Sequence, residues 1–296
     1  MFLEERLGLA GKVGIIIGGA GGLGRPCALD LARAGVHLFI VDRDEKRMTE
    51  CLEELGDLGI TVGGRVCDAR DDGSLRGVFA EVEETFGRLD LLVNVVGGTF
   101  HQLFKDSNPR GWDALIRTNF LWLLHATKLA IPLMERGRGG GSIINVTSIE
   151  AHRAAPECAI YAGMKAAVLN FSRSLAVELA DSGIRVNTVA PDRIPTEHMP
   201  ATGGTGAGDL AVRIGIPMGR EGEGEDFSGC VLFLASGLSR YVTGSSLHPD
   251  GGTMAASRWW HWPDAGFVTL PPAASLASYL EDGEHGSRMA DGSQSR

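Results

Sequence analysis

The chain has 296 residues, a net charge of −9 at pH 7, and basic residues scattered along its length. This acidic balance argues against nucleic acid or a membrane surface as a partner, because both carry negative charge. A chain of this length buries about three quarters of the surface that its unfolded form exposes, so it can form a large packed core without disulfide bonds.

The cysteines and the first residues bear on the cellular compartment. The five thiols show neither a CxxC pair nor the Cys/His spacing of a metal site: Cys27, Cys51, Cys67, Cys158 and Cys230. Free thiols are typical of the reducing cytoplasm. The stretch MFLEERLGLAGK lacks the apolar run of a signal peptide, and no window reaches the roughly 18 uninterrupted apolar residues of a membrane helix. We therefore expect a soluble, cytoplasmic protein without a metal centre.

Short apolar runs alternate with longer segments of helical periodicity. The strand-like runs are VGIIIG (13–18), VHLFIVD (36–42), ITVGGRV (60–66), LDLLVNVV (89–96), GSIINVT (141–147) and IRVNTVA (184–190). Runs that are apolar on both faces indicate strands covered by helices on both sides. The alternation predicts repeated βαβ units, and hence an α/β fold with a doubly wound parallel sheet of about seven strands in a single domain.

The domain predicted from this pattern covers residues 1–255. Within it, residues 197–216 are rich in Gly and Thr, which is typical of a mobile loop over a substrate. The remaining residues, 256–296, form a tail with an aromatic segment, RWWHWP, followed by a stretch with too few apolar residues to pack. We expect that last stretch to be disordered.

A glycine-rich turn, IGGAGGLGR (17–25), follows the first strand-like run. Gly18, Gly22 and Gly24 form the pattern G-x-x-x-G-x-G, in which missing side chains let the backbone approach a pyrophosphate at a helix N-terminus. Gly21 and Leu23 lie in the same turn. The turn predicts a dinucleotide-binding site that these five residues line.

Asp42 ends the second strand-like run, 18 residues after Gly24. A carboxylate at this position accepts hydrogen bonds from the adenosine ribose hydroxyls and repels a 2′-phosphate. Arg43 beside it could hold such a phosphate, but Gly21 places no basic side chain in the glycine turn. We therefore expect NAD as the cofactor, with NADP as the less favoured alternative.

Further cofactor contacts are expected at two other strand ends. Asp68 follows the third run in VCDARDD, with Ala69 next to it, and could meet the adenine amino group. The alternative is that Asp68 caps the next helix or stands in a turn. Asn94 in VNVVGG, and Gly97 behind it, would line the crevice where the strand order reverses.

The stretch YAGMK places Tyr161 and Lys165 one helical turn apart on the same face of a predicted helix. An ammonium close to a phenol favours the ionised phenol. Because a free phenol titrates near pH 10, lowering its pKa by about two to three units requires roughly 3 to 4 kcal/mol. Ser148 ends a strand-like run 13 residues before Tyr161, so the strand end and the helix can converge on one substrate oxygen. The pattern predicts a proton-transfer site.

In this order the motifs resemble the single-domain members of the short-chain dehydrogenase/reductase family, over about residues 11 to 253. The resemblance implies a Rossmann fold and a tetrad of Asn119, Ser148, Tyr161 and Lys165. It implies that Ser148 hydrogen-bonds the substrate oxygen and that Tyr161 exchanges its proton. Lys165, with Tyr161, would also hold the nicotinamide ribose, and Asn119 would support a water relay.

The same resemblance assigns the PDRIPT turn to the nicotinamide, with Pro191, Ile194 and Thr196 as its contacts. Some positions depart from the family pattern. Ile17 replaces a Thr, and Val95 and Val96 replace Asn and Ala of an NNAG motif. Asp192 replaces the glycine after Pro191. We interpret Asp192 as a structural accommodation, with a role in cofactor or substrate preference as the alternative.

These features predict an NAD-dependent oxidoreductase that interconverts a secondary alcohol and a ketone. The Gly-rich loop and the tryptophans of RWWHWP suggest a bulky or cyclic substrate, whereas the alternative for the tryptophans is a subunit contact. His101 and His152 are either substrate contacts or background. An NADPH-dependent 3-oxoacyl thioester reductase and a non-catalytic nucleotide sensor remain as rival functions. Family members commonly form homodimers or homotetramers, which we expect here.

Overall fold

The structure is a computed structural model that describes residues 2–137, 139–197, 199–263, 265–272 and 275. The chain divides into two compact units. The first comprises residues 1–201 and 222–250, and the second comprises residues 202–221 and 251–296.

The first unit is built on a parallel sheet. Its strands are β1 (Val13–Ile17), β2 (His37–Asp42), β3 (Val62–Val66), β4 (Leu91–Asn94), β5 (Gly141–Val146), β6 (Ile184–Val189) and β7 (Ser246–Leu247). Their order across the seven-stranded sheet is β3-β2-β1-β4-β5-β6-β7. The strand order reverses between β1 and β4, which opens a crevice at the carboxyl ends of these strands. The prediction of a doubly wound α/β fold is confirmed.

Helices follow most strands in the chain. They are α1 (Phe2–Leu7), α2 (Gly24–Arg33), α3 (Glu45–Gly56), α4 (Asp72–Phe86), α5 (Pro109–Ile116), α6 (Trp122–Glu135), α7 (Ala159–Glu178), α8 (Gly206–Gly215), α9 (Gly224–Ala235) and α10 (Thr253–Ala256). Of these, α8 and α10 belong to the second unit. In the described part of the chain, no helix combines the length and the apolar character that crossing a membrane requires.

The helices of the first unit cover the two faces of the sheet with separate cores. On one face α4, α6 and α7 pack against the sheet, and on the other face α2, α3 and α9 do so. Ile15 and Ile17 of β1 belong to the first core, whereas Ile16 belongs to the second. Successive strand residues point to opposite faces, so a strand buried on both sides has to be apolar throughout. Each such buried side chain contributes about 1.5 to 3 kcal/mol.

Side-chain caps set the first residues of several helices. Asp44 accepts a hydrogen bond from the backbone N–H of Arg47 at the start of α3, and Asp71 accepts one from Gly73 at the start of α4. Asn108 caps α5. These caps satisfy backbone N–H groups that have no partner within the helix, and they fix where the loops from the sheet end.

The second unit corrects two expectations. Residues 206–215, predicted as part of a mobile loop, form helix α8 with Val212 buried, because the sequence DLAVRI has a helical apolar spacing that the surrounding glycines conceal. The aromatic segment forms an antiparallel hairpin of β8 (Trp260–Trp262) and β9 (Gly266–Val268). The stretch predicted to be disordered, EDGEHGSRMADGSQSR (281–296), lies outside the described residues.

Candidate active site

Three predicted catalytic side chains meet at the carboxyl end of β5. Ser148 follows β5, and its Oγ accepts a hydrogen bond from the backbone N–H of Glu150 at 3.2 Å. The Ser148 hydroxyl lies beside the Tyr161 phenol and acts to lower its pKa. Lys165 Nζ lies 5.7 Å from the centre of the Tyr161 ring and donates to the Val146 carbonyl at 2.9 Å. The strand end and the first turns of α7 therefore bring the three groups together.

Burial dominates the electrostatics of this cluster. It raises the pKa of the Tyr161 phenol above its ordinary value, while the Ser148 hydroxyl opposes the rise. Burial also lowers the pKa of Lys165 to about 8. In the chain alone burial dominates, because the loss of water around both groups disfavours both charges. The lowering of the phenol pKa by Lys165 together with a bound nicotinamide stays a prediction.

Asn119 lies on a π-helical turn, Arg117–Leu121, between α5 and α6. Its Nδ2 donates to the carbonyls of Gly98 at 2.8 Å and Leu115 at 3.0 Å, and its Oδ1 accepts from the Gly98 N–H at 3.1 Å. The side chain thus clamps the loop after β4. A single π-helical turn changes the direction in which a helix residue points, and such turns often occur at functional sites.

Gly97 occupies the space between two members of the predicted tetrad. A Cβ atom on Gly97 would lie 2.9 Å from Lys165 Nζ and 3.1 Å from Asn119 Oδ1. Contacts below about 3 Å are too close for a methyl group, so this position excludes a side chain. The predicted cofactor residue Gly97 therefore lies beside the predicted catalytic residues, and its lack of a side chain keeps them near the backbone.

The glycine turn has the backbone shape that its sequence predicts. Gly18 and Gly22 adopt positive φ angles of 85° and 47°, a region that side chains other than glycine disfavour. A Cβ atom on Gly24 would overlap the carbonyl oxygen of Gly18. An open cleft of about 640 Å³ borders Gly21 and Gly22, and Leu23 stands at the N-cap of α2. The turn is a cradle for a phosphate group at a helix N-terminus.

Asp42 joins the glycine turn to the end of β2. Its Oδ2 accepts from the Ala20 N–H at 3.2 Å, and its Oδ1 accepts from Arg43 N at 2.8 Å and Asp44 N at 3.2 Å. Each carboxylate oxygen has two lone pairs, so Oδ2 can still accept a hydrogen bond from a ribose hydroxyl. The exposed Arg43 side chain follows directly in the chain.

Arg47 is a basic residue at this site that the sequence analysis missed. Its Nη1 lies 2.9 Å from the place where a Cβ atom on Gly21 would stand. The guanidinium pairs with Asp44 at 3.4 Å and with Glu197 at 3.7 Å. The sequence could have indicated this contact, because Arg47 lies in the first turn of the helix that follows Asp42, the predicted ribose-binding residue.

Asp68 and Ala69 follow β3. The Asp68 carboxylate accepts hydrogen bonds from the backbone N–H of Arg70 at 2.9 Å and from its Nε at 3.0 Å. The side-chain hydrogen bond from Arg70 holds the pKa of Asp68 below its ordinary value. The N-cap of α4 is Asp71, so Asp68 is a turn residue and not the helix cap. Ala69 is buried.

Asn94 ends β4 next to the crevice and is buried. Its Nδ2 donates to Asn145 Oδ1 at 2.8 Å, and Asn145 Nδ2 donates to Ser172 Oγ at 2.9 Å. Among the described residues, Asn94 Oδ1 has no hydrogen-bond partner. A buried acceptor without a partner costs about 1 to 3 kcal/mol, so this oxygen suits a donor from a bound group or a water molecule.

The PDRIPT turn connects the other strand ends to the glycine turn. The Pro191 carbonyl accepts from the Ile149 N–H at 3.1 Å, and Ile194 is buried. Thr196 Cγ2 lies 3.7 Å from the position of a Cβ on Gly22. Thr196 thus faces the glycine turn, as a residue in contact with a nucleotide bound there would.

Asp192 replaces the family glycine without backbone strain. Among the described residues other than glycine, positive φ angles occur at Glu157, Ser257 and Arg258, and Asp192 is not one of them. Its carboxylate lies 3.9 Å from Arg153 Nη2. The backbone therefore accommodates Asp192 without the left-handed conformation that favours glycine.

Together these observations fit a dinucleotide along the crevice. The glycine turn follows β1, and the Asp42 carboxylate stands at the end of β2. The Asn94 oxygen without a hydrogen-bond partner stands at the end of β4. The described residues contain no group of three or more His, Cys, Asp or Glu side chains placed to hold a metal ion.

Comparison with known proteins agrees with this arrangement. A family model described as enoyl-(acyl carrier protein) reductase matches residues 18–254. The 3-oxoacyl-(acyl-carrier-protein) reductase of Thermotoga maritima is 35% identical over 247 residues, which cover 82% of this chain and 98% of that protein.

Solved structures show the same likeness. Carveol dehydrogenase from Mycobacterium avium, in complex with NAD, is 30% identical with a TM-score of 0.76, over 83% of this chain and 98% of that chain. A short-chain type dehydrogenase/reductase from Mycobacterium marinum is 29% identical with a TM-score of 0.73, over 83% of this chain and 96% of that chain. The chain therefore belongs to the short-chain dehydrogenase/reductase family of oxidoreductases.

Proposed function

We propose that this protein is an NAD-dependent dehydrogenase that interconverts a secondary alcohol and a ketone. The observation that carries the proposal is the meeting of Ser148, Tyr161 and Lys165 at the end of β5. The cradle for a nucleotide, with Asp42 beside it, lies at the neighbouring strand ends. When bound, NAD supplies the acceptor or donor of the hydride.

The chain's own residues hold the substrate oxygen and move its proton. The Ser148 hydroxyl donates a hydrogen bond to that oxygen, and the Tyr161 phenol exchanges a proton with it. In the reductive direction the phenol is the donor, and its raised pKa keeps it protonated at neutral pH. In the oxidative direction the phenol has to ionise, which the Lys165 ammonium and a positively charged nicotinamide would favour.

We propose Asn119 as the support of the proton path. Its three hydrogen bonds hold the loop at Gly98, and Gly97 keeps Lys165 Nζ and Asn119 Oδ1 on either side of the same backbone segment. A water molecule near Lys165 Nζ could then carry a proton between the site and solvent. Lys165 has a pKa of about 8, so it can both hold and release a proton near neutral pH.

The cofactor preference rests on Asp42 and its surroundings. The carboxylate repels the additional negative charge of a 2′-phosphate. Arg47, a basic side chain next to Gly21, is paired with Asp44 and Glu197, so its charge is already compensated. Both observations support NAD.

An apolar and cyclic substrate is supported by a cavity beside the start of α7. The cavity is a small recess that opens to solvent, and it is lined by Phe100, Phe104, Trp112 and Ile160 among others. Ile160 directly precedes Tyr161 in the chain. Aromatic walls of this kind favour flat or cyclic apolar molecules.

A second candidate is the reduction of 3-oxoacyl thioesters with NADPH. It is favoured by the position of Arg47 against Gly21 and by the likeness to the 3-oxoacyl-(acyl-carrier-protein) reductase of Thermotoga maritima. In that case Arg47 would leave Asp44 and Glu197 and bind the 2′-phosphate of NADPH together with Arg43.

One assay separates these functions. The purified protein is incubated with a panel of cyclic and open-chain secondary alcohols and NAD or NADP. In parallel it is incubated with acetoacetyl-CoA and NADH or NADPH, and the change in nucleotide absorbance is followed in both sets. We expect turnover of cyclic alcohols with NAD. A strong preference for NADPH with acetoacetyl-CoA would support the second candidate, and nucleotide binding without any turnover would support a non-catalytic sensor.

We also propose that residues 1–255 form the catalytic domain and that the protein is a homo-oligomer. Val177 on α7 is 78% exposed, and Leu121 before α6 is 36% exposed. Exposed apolar side chains on long helices suit a subunit contact. Size-exclusion chromatography with light scattering tests this, and a monomeric mass would contradict it. A cytoplasmic location stays a prediction.

A further inference from the structure

An ion pair lies beside the glycine turn of the proposed nucleotide site. Arg47 stands in the first turn of α3, and its Nη1 lies 3.7 Å from Oε2 of Glu197, which follows the PDRIPT turn after β6. The same Nη1 lies 2.9 Å from the place where a Cβ atom on Gly21 would stand. The pair therefore joins the segments that follow β2 and β6, next to the backbone that is shaped for a phosphate group.

The backbone around Glu197 holds its carboxylate at the cleft. Thr196 Cγ2 lies 3.7 Å from the position of a Cβ atom on Gly22. The backbones of Thr196 and Met199 exchange hydrogen bonds at 2.9 and 3.1 Å, which closes a tight turn around Glu197. Glu197 itself lines the open cleft that borders Gly21 and Gly22. A carboxylate from the loop after β6 is thus part of the wall of the proposed nucleotide site.

Arg47 has two carboxylate partners with different tasks. Asp44 is the N-cap of α3, and its Oδ1 accepts a hydrogen bond from the Arg47 backbone N–H at 3.1 Å. Its Oδ2 also lies 3.4 Å from Arg47 Nε. Because this carboxylate fixes the start of the helix, the fold needs it whichever nucleotide binds. Glu197 lies outside any helix, so its charge can be removed without the loss of a cap.

The charges around the proposed ribose site are close to balance. Asp42, Asp44 and Glu197 supply negative charge, and Arg43 and Arg47 supply positive charge. A 2′-phosphate on the ribose would add about 1.5 to 2 negative charges at neutral pH. An arginine without a partner attracts such a group, whereas an arginine paired with a carboxylate has to give up that pairing first. The charge that Arg47 can offer to a phosphate therefore depends on Glu197.

We propose that Glu197 is a positioning residue that sets the cofactor preference by holding Arg47 away from a 2′-phosphate. This role rests on the proposed binding of a nucleotide in the cleft. With NAD the ion pair stays closed, because the 2′-hydroxyl carries no charge that competes with the carboxylate. With NADP the phosphate has to displace Glu197 from Arg47, which lowers the affinity. The carboxylate thus acts through the arginine.

The exposure of the two side chains determines the size of the effect. Arg47 is 30% exposed and Glu197 is 50% exposed. Water and salt screen an ion pair of this kind, so its contribution is small. Loss of the pair should therefore change the affinity for NADP about threefold to fivefold, and added salt should reduce that change.

The test is equilibrium binding of NAD and of NADP to the full-length protein without substrate, measured by titration calorimetry at low ionic strength. Glu197→Gln keeps the size of the side chain and removes its charge. We expect this variant to bind NADP about threefold to fivefold more tightly and NAD with unchanged affinity. A merely structural role of Glu197 would change both affinities together, which would overturn the proposal.

Glu225→Gln is the matched control. Glu225 lines the same cleft from the start of α9, and in the described part of the chain it forms no ion pair with Arg47. Its replacement removes the same charge from the cleft and should leave the ratio of the two affinities unchanged. An equal gain in NADP affinity for both variants would overturn the proposal, because it would reflect the net charge of the cleft alone.

A variant of Arg47 shows whether Glu197 acts through it. In an Arg47→Gln background, Glu197→Gln should no longer change the ratio of the two affinities. A change that persists there would overturn the proposal in favour of direct repulsion between Glu197 and the phosphate. Because binding is the readout, these outcomes do not depend on turnover. Absence of binding for both nucleotides would contradict the proposed function as well, whereas an unchanged ratio in Glu197→Gln would contradict the role of Glu197 alone.

Discussion

The nucleotide end of the site is formed by backbone atoms, whereas the catalytic end is formed by buried side chains. At the nucleotide end, the backbone of the glycine turn forms the surface, with Gly18 and Gly22 at positive φ and no room for a side chain on Gly24. At the catalytic end, buried side chains form the surface, with Ser148 8% exposed and Lys165 3% exposed. A backbone cradle depends on steric space, whereas a cluster of buried polar groups depends on desolvation.

This difference determines how each end responds to change. A methyl group is enough to damage the backbone cradle, because it collides with neighbouring main-chain atoms. The side-chain cluster is sensitive to a change of chemistry, because burial sets the direction of the pKa shifts of Tyr161 and Lys165. Substitutions at the two ends should therefore separate binding from turnover.

The largest effect is expected for Tyr161→Phe. Loss of the phenolic proton should lower kcat by about 10³-fold or more, as removal of a general acid or base does, while the affinity for NAD stays close to that of the unaltered protein. Steady-state kinetics together with titration calorimetry measures both quantities. Tyr241→Phe is the matched control, since Tyr241 is fully exposed. Undiminished turnover of Tyr161→Phe would exclude the proposed mechanism.

The second effect concerns the pH dependence of stability at the catalytic end. The unfolded chain keeps the Lys165 proton up to the ordinary pKa of 10.5, whereas the folded chain releases it near pH 8. Burial of the ammonium therefore opposes folding most strongly below pH 8 and ceases to do so above about 10.5. Relative to Lys165→Met, the unaltered protein should gain on the order of 3 kcal/mol in unfolding free energy across that window.

Urea unfolding at a series of pH values measures this gain. Lys128→Met is the control, because Lys128 is exposed on α6. Its stability difference from the unaltered protein should be independent of pH between 8 and about 10.5. A flat difference for Lys165→Met as well would show that the lysine is hydrated in solution.

The third effect tests the backbone cradle. Gly24→Ala should destabilise the protein by about 2 kcal/mol through overpacking against Gly18 and should weaken NAD binding. Gly229→Ala in α9 is a suitable control, because a Cβ atom there meets nothing within 4 Å, and alanine favours a helix interior. Chemical unfolding and calorimetry report the two quantities. Equal behaviour of the two variants would contradict the steric account of the turn.

The smallest effect is expected for cofactor preference. Asp42→Ala should lower the ratio of NAD to NADP efficiency by about tenfold, which corresponds to one charge-assisted hydrogen bond of roughly 1.4 kcal/mol. The kcat/KM values with the two nucleotides measure it. Asp57→Ala, at an exposed position after α3, should leave the ratio unchanged. An unchanged ratio in Asp42→Ala would shift the assignment to Arg47.

Much of the sheet could be predicted from local patterns. The six predicted strand-like runs overlap strands β1 to β6, because a strand covered on both faces is apolar at every position. β7 has only two residues, Ser246 and Leu247, and such a short strand carries no periodic signal. Helix α8 was missed because glycine and threonine surround its apolar residues.

Two features of the site required the folded chain. Arg47 reaches Gly21 because α3 packs beside the glycine turn, although 26 residues separate them in the sequence. The pairing of Arg47 with Glu197 joins residues 150 positions apart. Contacts of this range are set by how the helices lie on the sheet, and a single sequence contains no local pattern for them.

The sequence by itself determined the α/β architecture, the family and the positions of the glycine turn, Ser148, Tyr161 and Lys165, since these depend on periodicity and fixed spacing. The tertiary structure alone decided the directions in which the pKa values of Tyr161 and Lys165 shift, because these follow from how completely the surrounding elements exclude water. It also decided the neighbours of Arg47 and Glu197. Spacing along a chain places residues on an element, and only packing of the elements decides their contacts and their solvation.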